Sequence, residues 1–341
     1  MIRGVRGRSS DARPVVDAPV TPAPVRSFVL LVNPTAGGGR GRHAGDAAAA
    51  RLRARGARFR TIVAASAEAA TAAAIAAIDA GDVPVAVGGD GTLRLVADAA
   101  LGRPGAVVGL VPGGRGNDVA RHLGLPADPA AAADALVDGD AVPVDAGVAV
   151  AGDGTRRSFL SVACVGFDAE ANRIADAAPA RLGRFAYVWG ALGALAGLRP
   201  TDFAIEVDGT PVAQRALLVA VGNAGSYGGG MRIAPHSSVA DGVFDVVAVG
   251  HTGRRPDACG WRDRLRIVHL LPAVFRGSHV RMPSVSVRRA AQVRIAADAP
   301  LLAYADGDPI GPLPMTLSTV PAALSLLVPP GHRAPALEVG R

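Results

Sequence analysis

The sequence predicts an α/β protein in two parts: a doubly wound parallel-sheet domain followed by a mainly antiparallel, β-sandwich-like domain. Three observations carry this. From residue 28 to residue 137, short apolar runs alternate with helical patterns. Such alternation means parallel strands covered by helices on both faces. Three glycine-rich stretches each follow the end of an apolar run. From residue 142 onward the runs are strand-like and joined by hairpin signals, with two helical interruptions.

Taken in order, residues 28–32 read as a strand, 33–39 as a loop and 43–55 as a helix. A second strand at 59–63 leads to a helix at 67–80, and a third strand at 83–87 leads to a helical pattern at 92–101. Residues 106–111 form the fourth strand, 112–118 a loop, and 119–123 and 127–137 two more helices. In sheets of this kind ligands sit outside the carboxyl ends of the strands. The loops at 33–41, 88–92 and 112–118 are therefore expected to converge on one crevice.

The second half reads as strands at 142–150, 158–162, 203–207, 217–221, 243–249, 285–287 and 293–297, with helical parts at 181–198 and 262–275. Gly152-Asp153-Gly154-Thr155 copies the letters of an earlier motif, but strands flank it on both sides, so it reads as a hairpin turn. The last run, 323–328, is a single strand placed to return to the first domain.

The most informative stretch is Gly88-Gly89-Asp90-Gly91-Thr92, where a strand hands over to a helix. Bare N–H groups at a helix start suit an anion, and glycine lets the backbone approach a phosphate closely. Asp90 would repel that phosphate unless a divalent cation lay between them. The local chemistry reads as a nucleoside triphosphate with Mg²⁺; the competing reading is a glycine-rich turn with an Asp cap. All 36 basic residues are arginines. The absence of lysine excludes a Gly-x-x-x-x-Gly-Lys phosphate loop, a protein-kinase lysine and a Schiff base. Phosphate must be held by backbone N–H groups, arginine and metal.

Composition sets further bounds. A chain of 341 residues suits two domains or one large one. Net charge is +7 and the pI about 10.7, but the arginines are dispersed and there is no aromatic stacking platform, so nucleic-acid binding is not expected. Cys164 and Cys259 have no metal spacing, and a reducing cytoplasm is the simple reading. The 7 histidines show no zinc motif. No apolar run reaches the ~18 residues of a membrane span. The longest candidate, 185–198, lies between Arg184 and Arg199 and reads as a buried helix, with a lipid-facing or interfacial helix as the alternative. Residues 1–25 carry Arg3, Arg6, Arg8 and Arg13 with several prolines and lack a signal-peptide core. They read as disordered and weakly drawn to an anionic membrane. Residues 331–341 read as a loose tail.

Eight motifs follow in order: Asn33-Pro34-Thr35-Ala36-Gly37, Gly88-Gly89-Asp90-Gly91-Thr92, Pro112-Gly113-Gly114-Arg115-Gly116-Asn117-Asp118, Val144-Asp145-Ala146-Gly147, Gly166-Phe167-Asp168, Gly228-Gly229-Gly230-Met231-Arg232-Ile233-Ala234-Pro235, Ala240-Asp241-Gly242-Val243-Phe244-Asp245 and Ala305-Asp306-Gly307-Asp308. As an ordered set from about Ser27 to Val328, they resemble the diacylglycerol kinase catalytic-domain family, the soluble bacterial lipid kinases, with sphingosine kinases as relatives. Kinases that phosphorylate NAD share the first glycine motif, so that motif alone does not choose.

The resemblance implies an ATP-binding domain at 26–144 completed by a returning strand within 313–330, a β-rich lipid-substrate domain at 145–312, and an active site in the cleft. It implies that Asn33 to Gly37 and Gly88 to Thr92 cradle ATP, with Asn117 in the same set; Arg115, where the family often has Thr, is added to that set as an extra phosphate contact or a change in nucleotide preference. Asp90, Asp118 and Asp145 are implied to hold Mg²⁺ through waters, and Asp306 to be the general base. Asp241 is implied to bind a second, structural Mg²⁺ with the backbone carbonyls of Ser238 and Val243. Taken singly, Asp306 and Asp241 also suit plain Asp-Gly turns. The expected partners are a lipid alcohol and a membrane surface touched transiently at its cytoplasmic face; a homodimer is compatible with the sequence. The alternatives are a kinase of the same fold for a sphingoid base or a nucleotide such as NAD, and a non-catalytic binding relative. Three positions depart from the family pattern: Asp308 stands where Glu is common, Arg115 where Thr is frequent, and Ala65 in place of a Thr.

Overall fold

The computed structural model describes residues 26–178, 186–251 and 261–331. The expectations for residues 1–25, for the tail from residue 332, for Arg184 and for Cys259 lie outside these residues.

The first domain is built from β1 (Ser27–Val32), α1 (Ala36–Ala54), β2 (Arg58–Val63), α2 (Ala67–Asp79), β3 (Val83–Gly88), α3 (Asp90–Ala100), β4 (Val107–Pro112), α4 (Asp118–His122) and α5 (Pro129–Asp138). The four strands are parallel, in the order β2-β1-β3-β4. Burial explains that order. Every residue of β3 is buried, as a strand covered on both faces requires, whereas β2 shows three exposed arginine and threonine positions and sits at the edge. Two apolar layers flank the sheet. One joins Leu31, Leu93 and Leu123; the other joins Leu30, Leu52 and Leu136. Local chemistry starts the helices: the Ser66 hydroxyl accepts from Ala69 N–H at α2, and Asp128 caps α5 ahead of Pro129.

The second domain runs through β5 (Asp140–Ala151), β6 (Arg156–Phe159), β7 (Val162–Gly166), α6 (Phe167–Asp176), α7 (Ala186–Ala196), β8 (Thr201–Val207), β9 (Thr210–Gly222), β10 (Phe244–Gly250), α8 (Trp261–Arg276), β11 (Val285–Ala290), β12 (Gln292–Ala297), β13 (Leu302–Ala305), β14 (Asp308–Pro312) and β15 (Met315–Val328). Its strand pairs are antiparallel. β15 joins the domains. It runs antiparallel to β5 along its length, and Ser325 and Leu326 pair in parallel with Val107 and Val108 of β4.

The Gly152–Thr155 stretch is the turn between paired β5 and β6. Three local expectations change. The run 158–162 is two strands rather than one, because the N–H groups of Leu160 and Ser161 turn out of the ladder to Asp306. Residues 167–176 form a helix that the strand-rich second half did not suggest. The helix at 186–196 is not a buried one: Ala194 and Leu195 face the core, but Trp189 is 56 % exposed and Leu192 58 %.

Candidate active site

The three glycine loops touch through their backbones. Gly113 N–H donates to the Gly88 carbonyl at 2.7 Å, and Asn33 N–H to the Val87 carbonyl at 3.0 Å. A Cβ added to Gly114 would lie 2.3 Å from the Cα of Gly89, so no larger residue fits between the second and third loops. Gly37, Gly38 and Gly39 all have positive φ, which bends the first loop into α1. Asn33 clamps the ensemble: its Oδ1 accepts from the N–H and hydroxyl of Thr35, and its Nδ2 donates to the Thr92 hydroxyl at 3.3 Å. Beside them opens a cavity of about 340 Å³, lined by Asn33, Pro34, Thr35, Ala65, Thr92 and Leu95 among others. That volume is in the range of small-ligand sites. Ala36 and Gly91 occupy the first turns that follow the first and second loops.

The acidic groups separate into two places. Asp90 accepts from the N–H groups of Asp118 (3.1 Å) and Val119 (3.2 Å), capping α4, while Asn117 before it is left-handed at φ 51° and bonds Gly114. Asp118 is buried and accepts from Gly229 N–H, Gly230 N–H and, at 2.6 Å, Arg121 Nη1. The two carboxylates converge over Gly116. A Cβ there would stand 2.8 Å from Asp118 Oδ2 and 3.2 Å from Asp90 Oδ2. Burial first, and the Asp118 charge second, push the Asp90 carboxyl above its ordinary value. A pair of close carboxylate oxygens above a backbone lacking a Cβ fits a hard divalent cation.

Asp145 does not share that convergence. Its Oδ2 accepts from Gly242 N–H at 2.7 Å and its Oδ1 from Ala322 N–H at 2.8 Å. It therefore binds the loop that carries Ser238, Asp241 and Val243 to the bend in β15. In that loop Asp241 Oδ1 accepts from Val243 N–H at 3.3 Å, the Ser238 hydroxyl accepts from Ala240 N–H, and Asp241 Oδ2 is paired with the Arg289 guanidinium. Asp245 lies alongside, 3.7 Å from Arg289 Nε, with its Oδ2 buried and unpartnered. The carboxylates suit a cation, and Arg289 already supplies one positive charge to them. Arg115 is exposed at the rim of the third loop.

Asp306 occupies the turn between β13 and β14 at φ 52°. Its carboxylate accepts three backbone N–H groups, from Leu160 (2.8 Å), Ser161 (2.9 Å) and Val162 (3.2 Å). Burial pushes its carboxyl up to about 7; the Asp90 charge adds to the rise, while the backbone donors oppose it. A Cβ added at Gly91 would lie 3.6 Å from Asp308 Oδ2, so the turn that carries Asp306 lies against the start of α3. Asp308, two residues on, bonds Arg94 of α3.

Four contributors were given no role from the sequence, although Asp168 stood in one of the motifs. Arg40 donates to the carbonyls of Gly37 and Gly114, locking two loops; an arginine among glycines in a lysine-free chain was the available signal. Arg121 pairs with Asp118 one turn after the third motif. Asn223, fully buried, donates to the carbonyls of Asp145 and Leu160 and so links Asp145 to the segment that Asp306 holds. Asp168 is pushed up to about 6 by burial, opposed by a hydrogen bond with Tyr227.

Residues 27–149 match the diacylglycerol kinase catalytic domain, and residues 161–328 match a YegS C-terminal NAD kinase beta sandwich-like domain. A diacylglycerol kinase of Mycobacterium tuberculosis (strain ATCC 25618 / H37Rv) is 37 % identical over 89 % of this chain and 96 % of its own. The chain belongs to the diacylglycerol kinase family. A Staphylococcus aureus (strain Newman) diacylglycerol kinase is 27 % identical over 73 % of this chain and 75 % of its own. A crystal structure of a diacylglycerol kinase from Bacillus anthracis str. Sterne has a TM-score of 0.67 at 20 % identity, covering 91 % of this chain and 100 % of that one. Another from the same organism reaches 0.76 at 20 % identity, covering 93 % and 99 %. These likenesses show the same fold. As a member of this family the protein is a lipid kinase. Among the described residues, no helix is long and apolar enough to cross a membrane.

Proposed function

We propose that the protein is an ATP-dependent kinase that transfers the γ-phosphate to the hydroxyl of diacylglycerol or a similar lipid alcohol. The observation that carries this reading is the approach of the Asp306 turn, through Asp308, to the start of α3, which begins at Asp90, beside three interlocked glycine loops. The loops present N–H groups and no side-chain bulk to the phosphates. The cavity between Asn33 and Leu95 takes the nucleoside. Asp90 and Asp118 would hold Mg²⁺, which when bound offsets phosphate charge. Asp306 removes the proton from the acceptor hydroxyl as its oxygen attacks the γ-phosphorus. The bond from that phosphorus to the β–γ bridging oxygen breaks and ADP departs; the proton rests on the Asp306 carboxylate. Asp241, with the Ser238 and Val243 carbonyls, would hold a second Mg²⁺ in competition with Arg289.

The decisive experiment is incubation with γ-labelled ATP, Mg²⁺ and a panel of acceptors: diacylglycerol, a sphingoid base and NAD. Labelled phospholipid from diacylglycerol supports the reading, and label only in the sphingoid base or NAD moves the acceptor assignment. Asp90→Asn removes the anion facing the metal and should cut turnover by at least about a hundredfold. Full activity of that variant at limiting Mg²⁺ would overturn the nucleotide–metal arrangement.

A further inference from the structure

Of the nine large apolar side chains that stand exposed among the described residues, five lie on α7 and α8: Trp189, Leu192, Leu265, Val268 and Phe275. These two helices span only 11 and 16 residues. The exposure is ordered. On α8, Leu265, Val268, Pro272 and Phe275 follow i, i+3, i+7, i+10 spacing and form one outward stripe, while Ile267, Leu270, Ala273 and Val274 face the core. On α7, Trp189, Leu192 and Ala196 point outward at i, i+3, i+7, against buried Ala194 and Leu195. Arg264 ties the helices together by donating to the Ala196 carbonyl at 3.1 Å. Both helices cover the same apolar cluster, which also contains Tyr304, two residues before Asp306.

On α8 and just beyond the ends of both helices the charge is mainly positive. Between Trp261 and Arg276 the sequence carries Arg262, Arg264, Arg266 and Arg276 against a single acid, Asp263; α7 carries no charge. Arg199 after α7 and Arg281 after α8 are both exposed. Apolar stripes of this size, with Trp at one end and arginines around them, are what an interfacial helix presents to a bilayer. The arginines add attraction to anionic head groups.

We propose that the outer faces of α7 and α8 form the surface by which this protein docks on an anionic lipid bilayer, inserting Trp189, Leu192, Leu265, Val268 and Phe275 between head groups. This deepens the lipid-kinase reading, since an acceptor held in a bilayer must be met there. The docking itself requires no turnover.

The test is co-sedimentation of the full chain, without nucleotide, with vesicles of phosphatidylcholine alone or mixed with phosphatidylglycerol. The native chain should bind the mixed vesicles. Leu265→Ser with Val268→Ser, and separately Trp189→Ser with Leu192→Ser, should each weaken binding at least about tenfold while leaving the melting temperature unchanged. Arg276→Ala with Arg281→Ala should erase the preference for phosphatidylglycerol. Undiminished binding by both apolar variants, or no binding by the native chain, overturns the proposal. So does a native dimer in light scattering that the apolar variants dissociate, because the face would then be covered by a second copy. The apolar variants should also lose phosphorylation of vesicle-embedded diacylglycerol but keep it on a short-chain, water-soluble one. If no variant or native chain phosphorylates either acceptor, the kinase reading fails while the sedimentation result still decides the docking surface.

Discussion

Arg94 of α3 and Asp308 of β14 pair between the two domains, with Nη2 3.2 Å from Oδ2. Arg94 stems from the helix that begins at Asp90, and Asp308 follows the turn that carries Asp306. The pair therefore bridges the glycine loops and the turn that carries the proposed base. Asp308 is half exposed, so the pair is worth under about 1 kcal/mol of stability. Its positional worth is larger. Arg94→Ala should lower kcat by roughly 10- to 100-fold with only a small change in melting temperature. Unchanged kcat in a folded Arg94→Ala would show that the domains hold their spacing without it. Because Asp308 stands in place of the more common Glu, Asp308→Glu should retain most of the rate and Asp308→Ala should lose it as Arg94→Ala does.

Asp306→Asn should cut kcat by the roughly 10²- to 10⁴-fold of a lost general base, while the KM for ATP stays near native. Asn also turns an NH₂ toward one of the three backbone donors, which costs about 1–3 kcal/mol. The comparison must therefore be made at a temperature where the variant is folded. Near-native kcat there would confine Asp306 to holding the 160–162 segment.

The same residue predicts a pH profile. A base must be ionised, so with a carboxyl pushed up to about 7, kcat/KM should rise with pH and level off above that value. Stability runs the other way. The folded carboxyl keeps its proton up to about 7, whereas an ordinary one loses it near 3.8. The folded state thus binds the extra proton between these values, and this group's contribution to stability falls as pH rises across that window. Asp306→Asn should flatten both dependences; a native profile unchanged between pH 5 and pH 8, as estimated from these limits, would count against the role of Asp306.

Gly114→Ala tests the loop contact. Its Cβ would sit 2.3 Å from the Gly89 Cα, a backbone atom that cannot rotate away. The second and third loops must part, so the KM for ATP should rise and stability fall by about 1–3 kcal/mol. At Gly38 nothing lies within 4 Å of an added Cβ, and only the left-handed φ of 75° is strained. Gly38→Ala should therefore cost stability without a comparable loss of ATP binding. Equal KM effects in the two variants would mean that the contact between Gly89 and Gly114 does not shape the site.

Much of this was legible from local patterns. Buried parallel strands such as β3 are continuous apolar runs, and glycine at their carboxyl ends marks where backbone must approach backbone or phosphate. The split at Leu160–Ser161 was not legible, because it is made by Asp306, about 145 positions away in the chain. Asp145 was grouped with Asp90 by motif, yet its two oxygens belong to Gly242 and Ala322, contacts that only the bend in β15 creates. The exposure of Trp189 and Leu192 was only the alternative reading of 185–198, for another reason: an apolar helix reads the same in sequence whether its second face meets protein or not.

Asp241 offers one carboxylate to two cations. Arg289 is paired with its Oδ2, while the proposed Mg²⁺ would use the same group with the Ser238 and Val243 carbonyls. A ligand bound only to the folded state adds stability by mass action, about 2.7 kcal/mol at a hundredfold excess over Kd. Removing Arg289 frees the carboxylate and leaves Asp245, already pushed up by burial, without its nearest opposing charge. Mg²⁺ should then bind more tightly. Chelator should lower the melting temperature of Arg289→Ala most, that of the native chain less, and that of Asp241→Ala hardly at all. If Arg289→Ala is as indifferent to chelator as Asp241→Ala, the cluster holds no divalent cation and its balancing charge is the arginine alone.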